Sequence, residues 1–329
     1  MGKIDMMPLL KNHVDSWTPF LQLFAKSSPI GVDIGADSIL VAQLETNAKG
    51  VSLIAGGSKI RPPDVEPGSV EWQRWAIEAM RELINSGQFR GKDVIAAIPA
   101  AEVFIDHVKM SKAEKKDRWE DSILSKIKQK LPAQAEQSSI KYIPTEEDNV
   151  MVMATEHKII DRHLAIYENA GLQIKSIAVW PTALANSYTR FFGRRKTDVE
   201  TIVMLVDIKA DRTDVVICRH RTLLFARSIP IAVKQLAGEQ VISRLVSELH
   251  GCSGQFGSMH RKARIERLIF LSGQAVDRDI CATIAKQLEM PAQMGDCLAA
   301  VEVANPACSG IDRRGCQFSW AAAFGLSLS

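Results

Sequence analysis

The chain has 329 residues, 46% of them hydrophobic, and a formal net charge of +3. That balance gives no global case for nucleic-acid binding, which would want a strongly basic face, and no stretch reaches the roughly 18 consecutive apolar residues of a membrane-spanning helix. Pro8, Lys11, His13 and Asp15 break the apolar run an export signal would need.

Residues 1–29 form an N-terminal arm. Met6, Leu10, Val14, Trp17, Leu21 and Phe24 recur at helical spacing, which predicts two short amphipathic helices. The arm is expected to pack on the body; a partner or, through residues 1–26, a membrane surface are the alternatives. Strands follow at 30–34, 38–44 and 51–57, then a proline-rich loop from Arg61 to Gly68 and a helix over about 69–86. Residues 93–179 read as a separate α+β module. Its strands fall near 94–98 and 103–110, and Ser111-Lys112-Ala113-Glu114 is a capping box opening a basic helix that Pro132 stops. Strands near 139–143 and 150–154, a helix over about 156–170 and a strand at 173–179 complete it.

Pro181 opens a short helix, and Gly193 to Asp198 is a polar break. Strands are expected at 201–207, 213–218 and 222–229, then a helix over 233–249 and a loop from Gly251 to Ser258. A strand at 267–271, a helix at 276–288, a short segment near 291–294, a helix at 296–304 and a last helix from about 317 close the chain. All six cysteines lie in this C-terminal part without a C-x-x-C pair, so free thiols are expected.

Two segments repeat: VDIGADSILVAQL at 32–44 and VDIKADRTDVVIC at 206–218. Each reads as a strand, an Asp-containing turn and a second strand. The spacing is too long for a solenoid and points to two like domains facing across a cleft. Backbone N–H groups of such turns can cradle phosphates, and paired carboxylates can hold a hydrated Mg²⁺.

This arrangement resembles the actin/Hsp70/sugar-kinase superfamily. Residues 32–38 and 206–213 resemble its two phosphate loops, Leu271-Ser272-Gly273 its adenosine motif, and AAAFGLSL at 321–328 its C-terminal connecting helix. With the insertion at 93–179, GVDIGADSILVAQL and AGLQIKSIAVWPTALANSY look most like the PilM type IV pilus assembly proteins. The resemblance implies an α/β, two-domain actin-like (ribonuclease H-like) fold with an inserted 1C α+β subdomain of the kind seen in FtsA and PilM. Its implied domains are 30–92 with 180–198, the insertion 93–179, and 199–329. It also implies a cytoplasmic protein peripheral to the bacterial inner membrane. Its partners would be the tail of a PilN-like membrane protein and other proteins of the pilus or secretion platform.

The resemblance further implies a cofactor site for ATP at Asp33, Gly35, Ser38, Asp207 and Gly273, with Mg²⁺ held through water by Asp33 and Asp207. The sequence departs from that pattern at three places. Lys209 stands where the second phosphate loop has glycine, Gln274 where the adenosine motif has its second glycine, and Trp180 where an acidic residue is usual. An indole cannot act as a base. The cleft is therefore expected to be degenerate, with no catalytic residues. An active actin-like ATPase, a filament-forming protein and a sugar-kinase-like enzyme are the competing readings; the last needs an intact phosphate cradle and a carboxylate base.

Overall fold

The computed structural model describes residues 28–48, 50–111, 118–303, 311 and 318–329. The helices expected in the arm, the capping box at 111–114, and Cys308 and Cys316 lie wholly or largely outside the described residues.

The first lobe begins with a meander. Strands β1 (Ile30–Ile34), β2 (Ser38–Asn47) and β3 (Gly50–Ile60) pair antiparallel in sequence order. Helix α1 (Val70–Ser86) follows, its first turn closed by Ser69, whose Oγ accepts from the Trp72 N–H at 3.0 Å. Its apolar stripe of Trp72, Ala76, Met80 and Leu83 covers Ile30, Val32 and Val41. Strand β4 (Asp93–Ile98) then lies parallel beside β1.

A small module follows. Strand β5 (Phe104–Lys109), helix α2 (Trp119–Ile127), strand β6 (Ser138–Pro144) and strand β7 (Asn149–Glu156) give a three-stranded antiparallel sheet of order β5-β7-β6 backed by one helix. Its strands bury residues on both faces. Val108, Val150 and Val152 meet Ile123 and Ile127 of α2, while Ile143, Met151 and Met153 enter the main core. Helix α3 (His157–Asn169) and strand β8 (Gln173–Val179) return to the first lobe, with β8 parallel to β4. The module is thus narrower than the expected 93–179. Strands β4 and β8 belong to the six-stranded sheet, and Ile166 and Tyr167 of α3 pack with α1.

Helix α4 (Trp180–Ser187) leads to the second lobe. Strands β9 (Ile202–Ile208), β10 (Thr213–Arg219) and β11 (Thr222–Ile229) form a second antiparallel meander. Helix α5 (Glu239–Met259), strand β12 (Arg267–Phe270), helix α6 (Arg278–Gln287) and strand β13 (Ala292–Met294) complete it, with β12 parallel to β9 and to β13. Helix α5 runs through the loop expected at 251–258. Its stripe of Leu245, Leu249, Cys252 and Phe256 continues at helical spacing, and side chains at Gly251, Gly254 and Gly257 would meet open space.

Helix α7 (Cys297–Ala300), strand β14 (Glu302–Val303) and helix α8 (Ala321–Ser327) end the chain. The second domain expected over 199–329 does not hold to its end: β14 pairs with β3, and α8 lies on β1 and α4, both outside the second lobe's sheet. The approach is close. A methyl group on Gly31 would overlap the Ala323 carbonyl oxygen, and one on Gly325 the Ala183 carbonyl oxygen. Leu40, Leu44, Val203, Leu205, Trp180, Leu184 and Phe324 form one core shared by both lobes. Cys218, Cys252, Cys281 and Cys297 are buried free thiols. Among the described residues no helix is long and apolar enough to cross a membrane.

The module also docks on the second lobe. His107 stacks on Phe225, ring centroids 4.5 Å apart, and its Nε2 accepts from the Ala226 N–H at 3.2 Å. Burial pushes the His107 pKa down to about 4, against the pull of Asp106 and with the push of His260. The unfolded chain takes up that proton near the ordinary value of about 6.5, so this group's contribution to stability is whole above that pH and is lost as pH falls toward 4. His107→Gln is expected to flatten the fall in melting temperature over this window; a fall identical to wild type would refute this.

Candidate functional site

The β1–β2 and β9–β10 turns meet across the space between the lobes. In the first, the Gly35 N–H donates to the Ser38 carbonyl at 2.8 Å, and the Ser38 hydroxyl donates to Asp37 at 3.2 Å. In the second, the Lys209 N–H donates to the Arg212 carbonyl at 2.7 Å, and the Lys209 carbonyl accepts from the Val233 N–H at 2.9 Å. These bonds tie the second turn into its own lobe and fix the direction of the Lys209 side chain.

That side chain reaches into the first lobe. Lys209 Nζ lies 3.2 Å from Asp33 Oδ2, and 3.9 Å from both Asp207 Oδ2 and Asp214 Oδ2. Asp207 and Asp214 are directly opposite one another on β9 and β10. Like charges in that position repel, and here both are buried. Burial drives the Asp207 pKa upward and Asp214 up to about 7, each partly offset by the Lys209 ammonium. The Ser228 hydroxyl donates to Asp214 at 2.7 Å. Asp207 is fully buried, and the Ser319 and Ser272 side chains, like Lys209, favour its charged form. Burial works against the charge on Lys209, but the three carboxylates outweigh it and hold the ammonium above the ordinary lysine range.

Asp33, Gly35, Ser38 and Lys209 therefore come together, with Asp207 beneath them. They line a cavity of about 50 Å³ together with Asp37, Leu40, Ala275 and Ser319. Pockets for small-molecule ligands span roughly 300–1,000 Å³. Mg²⁺ needs oxygen ligands at about 2.0–2.1 Å in near-octahedral array, and the Lys209 ammonium stands among the carboxylates that would supply them. The donor set does not fit that ion.

The other expected residues lie elsewhere. Gly273 has φ +58° and turns toward Asp296, whose carboxylate accepts from Gln274 Nε2 at 3.5 Å. Trp180 is 3% exposed and sits in the shared core. An acid restored at 180 would bury a carboxylate there at a cost of several kcal/mol. Sequence reading missed Asp214. Its signal was a lone acid inside the apolar run Thr213-Asp214-Val215-Val216, where the first hairpin has Leu40.

Strand order gives the class. Each lobe carries a meander whose first strand continues into two parallel strands: β3-β2-β1-β4-β8 in one, β11-β10-β9-β12-β13 in the other. This doubled ribonuclease H-like sheet, with a cleft between its copies, is the actin-like fold. Residues 31–251 match the family of the type IV pilus assembly protein PilM, and the chain belongs to that family. No curated protein matches it. Among solved structures it is similar to the PilM–PilN type IV pilus biogenesis complex, at 19% identity and TM-score 0.74, covering 92% of this chain and 98% of that one. It is also similar to the ethanolamine utilization protein EutJ from Carboxydothermus hydrogenoformans, at 12% identity and TM-score 0.50, covering 93% and 90%.

Proposed function

We propose that the protein is a scaffold of a type IV pilus, or related secretion, assembly platform. It works on the cytoplasmic side of the inner membrane, where it captures the cytoplasmic tail of a PilN-like membrane protein. Membership of the PilM family carries this reading, and the likeness in fold to the PilM–PilN complex supports it. The tail docks where the module meets the first lobe. That seam is built: Glu102 at the module's root accepts from Arg162 and, at 2.8 Å, from His163 Nε2, while Arg162 lies over the Trp72 ring at 5.6 Å. A short segment buries little area, so its affinity rests on a few anchors in a preformed groove. Calorimetric titration with the tail of the PilN-like protein from the same cell tests this; no binding by the intact protein would sink it.

The cleft in this reading serves no nucleotide. Lys209 among Asp33, Asp207 and Asp214 supports that. Mg-ATP is expected to give no binding heat with wild type. Micromolar binding that Asp33→Ala abolishes would show the opposite, a working ATP site.

A further inference from the structure

Three carboxylates surround one side-chain ammonium in the cleft. Asp33 comes from the first lobe; Asp207, Asp214 and Lys209 come from the second. Within the cavity, the Lys209–Asp33 bond at 3.2 Å is the ion pair that crosses from one lobe to the other. The side chains of Lys209 and Asp33 are only 20% and 12% exposed, so solvent screens the pair weakly.

We propose that Lys209 is a resident cation that fastens the two lobes across the cleft. The inference rests on the reading of the cleft as nucleotide-independent and adds to it a closed state that needs no ligand. A bridging ion comes and goes with concentration, whereas a tethered ammonium does not. Its counter-charges are local: Asp33, Asp207 and Asp214 face it, and Arg212 is engaged by Asp211 at 2.7 Å.

The test is hydrogen exchange across residues 30–40, which belong to the lobe that does not carry Lys209. Asp33→Asn and Lys209→Ala are each expected to raise exchange there about tenfold, as an opened cleft exposes the β1–β2 turn. Unchanged exchange in Asp33→Asn overturns the latch, and this variant decides alone if Lys209→Ala does not fold. A folded Lys209→Ala with the exchange of wild type overturns it as well. Binding of Mg-ATP by wild type is a separate outcome: it overturns the reading of the cleft, and the exchange measurements distinguish it from failure of the latch.

Discussion

Excising residues 104–154 is expected to abolish capture of the PilN-like tail, while Asp33→Ala leaves it unchanged. The excision is feasible because Phe104 and Ala154 are cross-strand partners on β5 and β7. Partner Cα atoms lie about 4.5–5.5 Å apart, so a few glycines close the gap. The module has a core of its own around Ile123, Ile127 and Val152, which leaves with it. Ile143, Met151 and Met153 leave the shared core too, so the shortened chain should melt earlier. Its fold is checked by exchange protection of β9 and β10. Should it not fold, the tail can be added to wild type: protection is expected at the seam, over 70–110 and 138–165, and not at 33–38. Retained binding after excision, or protection at the cleft alone, would refute the assignment.

Gly325→Ala is expected to be the most damaging single methyl among the described glycines. The new Cβ would overlap the Ala183 carbonyl oxygen, a backbone atom in α4 that cannot swing away. Relief requires α8 and α4 to separate, and both line the shared core. Overpacking a tight core costs about 1–3 kcal/mol, occasionally more; at roughly 2–4 °C per kcal/mol the melting temperature should fall by about 2–12 °C. Gly171→Ala is a control of another kind: it has open space but φ +78°, so it reports backbone strain alone. A Gly325→Ala protein as stable as wild type would mean that the helices are not packed this closely.

The residues that are legible in the sequence are those whose role is local. Val-Asp-Ile, repeated with its turn, located both meanders and both cleft turns, because strand period and turn chemistry act over a dozen residues. The separation of β4 and β8 from the module was not legible: their place beside β1 is set by parallel pairing across long intervals, which no local pattern records. The same holds for β14 and α8. At the site, the sequence showed that Lys209 replaces a glycine. It did not show that the side chain crosses to Asp33, since that depends on how the lobes face each other. Gln274 and Trp180 looked like equal departures, yet one turns to Asp296 and the other is core.

The return of α8 to β1 has a consequence for how the chain is made. The Leu44 N–H donates to Ser327 Oγ at 3.0 Å, and that hydroxyl donates to the Pro29 carbonyl at 2.8 Å, contacts spanning 283 and 298 positions. Domains ordinarily fold in the order in which they leave the ribosome. Here the second lobe's sheet, residues 202–294, is complete before the first lobe has its last helix. The half that is synthesised first is therefore finished last. Until residues 321–327 emerge, the apolar face of β1 around Gly31 stands open to whatever chaperone or membrane surface is nearby.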